Sequence, residues 1–142
     1  MATTVNNTTV NSRVTIIFDS DGSLDGNGPA KGTGNTESDV YLDSKVYHNI
    51  RSHTEIDADI HALQWNASTN TGEIEYTDNR ENLSISSFPQ WATNVVIRCE
   101  AQDAWQTAYN EAMAGDADSQ ANATTTANTA RDNYLSAHSI TY

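Results

Sequence analysis

The hydrophobic residues of this chain change period once, at Ser87, and that change limits what it can fold into. Before it, apolar side chains alternate with polar ones in short runs separated by turn-forming residues; after it, they recur every three or four positions. A strand-period part followed by a helix-period part specifies an α+β architecture. We expect a small antiparallel β-sheet built of hairpins, then a long amphipathic helix and a second, Ala-rich C-terminal helix.

In the strand-period part, Val14, Ile16 and Phe18 lie on one face of a run whose other face begins with Arg13 and Thr15. Residues 19–38 follow, rich in Gly, Asp, Asn, Ser and Thr, and read as a long exposed loop. Val40 and Leu42, then Val46, His48 and Ile50, share one face of a strand or hairpin broken at Asp43-Ser44. Residues 51–57 read as a connector. Residues 60–66 and 73–77 form a further hairpin around the polar loop 67–72, which ends in Gly72. Its core face carries His61, Leu63, Trp65, Ile74 and Tyr76, while Gln64, Glu73 and Glu75 point to solvent.

Ser87-Phe88-Pro89-Gln90 starts the first helix, with a capping Ser three positions before Gln and Pro in the first turn, where its missing N–H does no harm. The stripe Trp91, Val95, Arg98, Cys99, Gln102, Trp105, Tyr109, Ala112 and Met113 spans roughly seven turns, and Gly115 supplies the stop. Beyond it, Ala123, Ala127, Ala130, Tyr134 and Ala137 recur at four, three, four and three, a heptad-like stripe of small residues. Such a helix must lean on something. It either folds back as an αα-hairpin or packs against other subunits.

The organisation is thus a polar N-terminal arm over 1–11, a β-rich region over 12–86 and a helical region over 87–142. Hydrophobic residues make up 37% of the chain, and Asn, Thr and Ser together roughly a third, so the core is small. The arm offers Val5 and Val10 as its main apolar side chains, too few to order it alone, so it requires a partner. The candidate partner-binding residues are Val5, Val10, Trp105, Tyr109, Ala123, Ala127, Ala130 and Tyr134.

Charge narrows the function. Nineteen acidic residues against 7 basic ones give a formal charge of −12, which repels phosphate backbones and anionic lipid, so neither nucleic acid nor membrane is an expected partner. No apolar run has the length of a signal peptide or a membrane span, which points to folding in a cytoplasm. The single cysteine, Cys99, excludes an intrachain disulfide and reads as helix packing.

Constellations that could carry chemistry are weak. Asp21, Ser23, Asp25 and Gly26 match positions 1, 3, 5 and 6 of a calcium loop, but position 12, where a bidentate Glu is needed, is Gly32. His48, His53 and His61 with Asp57 and Asp59 lack metal-ligand spacing. No nucleophile elbow and no phosphate loop is present, and Glu73 and Glu75 read as solubilising charges. The expectation is a module without enzymatic activity, metal, cofactor or small-molecule substrate.

The run Asp59-Ile60-His61-Ala62-Leu63-Gln64-Trp65-Asn66, followed by Gly72-Glu73-Ile74-Glu75-Tyr76, Asn82 and the Pro89-Gln90-Trp91 helix start, resembles a module in small tail-accessory proteins of tailed bacteriophages, including cyanophages. Many of these are labelled tail-fibre assembly proteins. The resemblance covers about residues 56–113. It implies a non-enzymatic part of a phage virion, made in the host bacterial cytoplasm and attached to tail, baseplate or fibre as a homo- or hetero-oligomer. The alternative it implies is a tail-fibre assembly chaperone absent from the mature particle. An arm and a small-residue helix that cannot bury themselves favour the permanent assembly.

Overall fold

A computed structural model describes residues 2–18, 37–51, 56, 59–77 and 79–142. Among them are eight strands and three helices: β1 (Thr3–Val5), β2 (Thr8–Val10), β3 (Arg13–Phe18), β4 (Glu37–Leu42), β5 (Lys45–Arg51), β6 (Ile60–Asn66), β7 (Thr71–Tyr76), β8 (Leu83–Ile85), α1 (Gln90–Met113), α2 (Ala117–Ala121) and α3 (Ala123–Ala137). The architecture is α+β, with every strand pair antiparallel. The candidate calcium loop, His53 and Asp57 lie outside the described residues.

The chain divides into two compact units, Met1–Val96 and Ile97–Tyr142, and the division falls inside α1. The first turns of α1 pack with the sheet. Trp91 lies 5.9 Å from Phe18 and Phe88 meets Trp65 edge-on at 5.4 Å. The Pro89 carbonyl accepts the Ala92 and Thr93 amides at the helix start.

In the first unit, a six-stranded sheet has the order β5-β4-β3-β6-β7-β8, and β1-β2 forms a separate two-stranded one. The register Val14↔Trp65, Ile16↔Leu63, Val14↔Leu42 and Ile16↔Val40 lines up one apolar face across β4, β3 and β6. Val14, Ile16, Leu63 and Val40 are fully buried there. The opposite face carries Thr15, Gln64, Glu73 and Ser84 in a cross-strand row.

Four local expectations are corrected by register. In the β4–β5 hairpin the turn is the two residues Asp43-Ser44, with Leu42 opposite Lys45, so Tyr47 rather than Val46 takes the core face. Val46 is 41% exposed and His48 is exposed, while a register shift at Asn49, in the left-handed region with φ 59°, returns Ile50 to the core. In β6 the pairing jumps from Ile60↔Tyr76 to Ala62↔Glu75, leaving His61 as the extra residue of a bulge; Ile60, 4% exposed, joins the core face instead. Glu37 and Ser38, expected in the loop, open β4, and the buried Ser38 hydroxyl is satisfied by donating to the Ile50 carbonyl at 3.1 Å. Gly72 does not close the hairpin loop but sits within β7, and Asn70, with φ 53°, supplies the left-handed turn position. A Cβ at Gly72 would fall 2.4 Å from the Gln64 carbonyl oxygen and 2.9 Å from Trp65 Cε3, so the Trp65 ring occupies the space a side chain would need.

The arm is the largest departure. Residues 3–10 close on themselves through the register Val5↔Thr8 around Asn6-Asn7, with Asn6 at φ 52°. Thr3 Oγ1 donates to Asn70 Oδ1 and accepts the Trp65 Nε1 proton, both at 3.0 Å, and the Ala67 amide donates to the Ser12 carbonyl at 2.9 Å. These bonds dock the hairpin on the β6–β7 end of the sheet, so its ordering is cooperative with the sheet.

In the second unit α3 packs on α1 around Ile97, Ala101 and Leu135, flanked by Tyr134 and Ile140. The αα-hairpin is therefore the alternative the chain takes. α2, which the sequence reading did not separate, is opened by Asp116 Oδ1 accepting the Ser119 amide at 2.8 Å. No described helix is long and apolar enough to cross a membrane.

Candidate functional site

Trp105 and Tyr109, one turn apart on α1, stack with centroids 5.0 Å apart and planes only 7° from parallel. The Trp105 indole N–H donates to Asn128 Oδ1 of α3 at 2.8 Å, which ties the aromatic pair to the second helix. Both rings are half-buried, and Met113, one turn further on, is 42% exposed. Trp105, Tyr109 and Met113 thus form an i, i+4, i+8 stripe of large side chains. Flat aromatic faces held in one rotamer by a hydrogen bond lose little conformational entropy when a partner covers them.

The remaining candidate residues are mostly taken up by the chain's own packing. Val5 and Val10 are 3% and 0% exposed, and Ala123 and Ala127 are 2% and 0%. Ala130 and Tyr134 are half-buried, and the Tyr134 hydroxyl donates to Glu100 Oε1 at 2.9 Å. The structure brings Trp105, Tyr109, Ala123, Ala127, Ala130 and Tyr134 together on two helices of one unit, and places Val5 and Val10 in the other unit. The heptad-like stripe drifts, because a straight helix turns 3.6 residues rather than 3.5: Ala137 ends exposed and Leu135, 1% exposed, takes the core position. Leu135 follows from the 3.6 period, at eight residues from Ala127. Asn128 and Glu100 have no distinguishing signal in the sequence.

Two charged side chains of α1 are buried with partners. Arg98 Nη2 donates to the Thr141 carbonyl at 2.7 Å, and Glu100 holds Tyr134, so both anchor the C-terminal segment onto α1. Cys99 is fully buried and free of disulfides. His61 is half-buried at its bulge, and the exposed His48 Nδ1 lies 3.0 Å from Asp39 Oδ1. Among the described residues no group of three or more His, Cys, Asp or Glu is placed to hold a metal ion. No family model, curated protein or solved structure matches the chain.

Proposed function

We propose that this protein is a non-enzymatic structural component of a tailed-phage virion, attached to the tail, baseplate or fibre. The observation that carries an attachment role is the Trp105–Tyr109–Met113 stripe, a preorganised apolar strip on an otherwise acidic and polar chain. The phage setting rests on the sequence resemblance of residues 56–113. A tail or fibre protein is the expected partner.

A second reading, a tail-fibre assembly chaperone that leaves the particle, is favoured by a different observation. The arm and α3, whose need of a partner argued for permanent assembly, bury their own apolar residues within the chain. Quantitative mass spectrometry of particles purified from a phage encoding this chain decides between the two. A constant copy number per tail supports the structural role. Presence in the lysate with absence from particles supports the assembly role, and a His61→Ala variant that loses a hydrolytic activity while staying folded would overturn both.

A further inference from the structure

We propose that the solvent face of β3, β6, β7 and β8 is a binding groove for an uncharged oligosaccharide. The groove is shallow and open to solvent, with a volume of about 720 Å³, within the roughly 300–1,000 Å³ of ligand-sized clefts, and lies wholly in the first unit. Arg13, Gln64, Asn66, Thr71, Glu73 and Ser84 line it. The register sets them in two rows across the strands, Arg13↔Asn66↔Thr71 and Gln64↔Glu73↔Ser84. Adjacent strands stand roughly 4.8 Å apart, comparable with the length of a pyranose ring.

The hydrogen-bonding state of these side chains points outward to a ligand. Gln64 Oε1 accepts the Thr15 hydroxyl at 3.0 Å, and Asn66 Oδ1 accepts the Ser68 and Thr69 amides at 2.9 and 3.3 Å. In each amide the oxygen is engaged, so the side-chain orientation is set and the NH2 group is left as a positioned donor. Among the described residues the Arg13 guanidinium and Glu73 carboxylate make no side-chain hydrogen bond or ion pair, although both border the groove.

The chemistry of the lining selects the ligand class. One Arg and one Glu leave the groove with no net charge, and the chain's −12 disfavours anions. A lone carboxylate with amides and hydroxyls is too weak a cage for a divalent cation. An apolar ligand would strip water from these donors and acceptors without replacing it. A neutral polyol supplies both a donor and an acceptor at every hydroxyl, which matches fixed NH2 donors, a guanidinium and an acceptor-only carboxylate.

The test is an array of uncharged, sialylated and sulfated oligosaccharides probed with the full chain, followed by calorimetric titration of the uncharged hits. The expected result is binding to uncharged members, weakened about tenfold in Arg13→Ala and in Glu73→Ala and unchanged in Glu75→Ala, which lies on the same strand but outside the lining. Arg13 and Glu73 are exposed, so circular dichroism of these variants should match that of the parent. Binding to none of the uncharged members, binding confined to the anionic ones, or unchanged affinity in both groove variants would overturn the proposal.

Discussion

Asp43 Oδ1 accepts the backbone amide of Ser12 at 2.7 Å, across 31 positions of sequence. The same carboxylate takes the Arg13 amide at 3.0 Å and, through Oδ2, the Asn11 amide at 2.8 Å, while the Asp43 amide returns a bond to the Arg13 carbonyl at 2.9 Å. One turn residue at the tip of β4–β5 thus clamps the segment that leads from the arm into β3. Asp43 can hold the left-handed turn conformation, φ 57°, and still use its side chain this way, which suits it to the place.

Acid should loosen this clamp. The bond from the Asn11 amide, outweighing the opposing effect of burial and helped by the Arg13 and Ser12 amides, holds the Asp43 carboxyl below the usual carboxylate range. A carboxyl with a lowered folded-state pKa contributes stability that is present above its unfolded pKa and is lost as pH falls through the folded value. Asp43→Ala should cost about 1 kcal/mol at neutral pH, the group being solvent-screened, and the difference should narrow in acid to the pH-independent cost of placing Ala in the left-handed conformation. Urea unfolding at neutral pH and at about pH 3 measures both.

Gly72→Ala should destabilise the first unit by about 3 kcal/mol, since the closest atom to the new methyl group is backbone and cannot swing aside. The readout is the urea midpoint, with tryptophan fluorescence reporting on Trp65. An unchanged midpoint would mean that the Trp65 ring does not lie across Gly72.

Leu135→Ala empties the contact between α3 and α1 and should cost about 3 kcal/mol. Because the loss falls in the second unit, amide exchange should accelerate in α3 while β3 and β6 keep their protection. Equal acceleration in both units would show that they unfold as one.

Trp105→Phe keeps an aromatic ring beside Tyr109 but removes the indole N–H that Asn128 accepts, at a cost of about 1 kcal/mol. Trp105→Ala with Tyr109→Ala should abolish incorporation into particles, measured by mass spectrometry, with the far-ultraviolet dichroism of the helices retained. Incorporation at the parent level would remove the stripe from the attachment surface.

Much of the fold was legible because period is a local property. The alternation of Val14, Ile16 and Phe18, the helix from Gln90 and the stop at Gly115 each follow from residues within a turn or two of one another. The misreadings cluster where one residue shifts parity. Bulges at His61 and Asn49 and the two-residue turn at Asp43 move every later side chain to the other face, and nothing in the alternation announces them. Among the candidate site residues, Trp105 and Tyr109 kept their place on an accessible stripe, whereas Val5, Val10, Ala123 and Ala127 did not, because burial depends on what the fold brings beside a residue.

The α+β class, the hairpin of β6 and β7 and the length of α1 are written in neighbouring residues, through strand and helix periods and turn chemistry. The docking of the arm on Trp65 and Asn70, the return of α3 onto α1, and the convergence of polar residues of β3, β6, β7 and β8 on one groove emerge with the folded chain. Those outcomes depend on pairings between residues tens of positions apart, whose energies are set by register and by which surfaces meet.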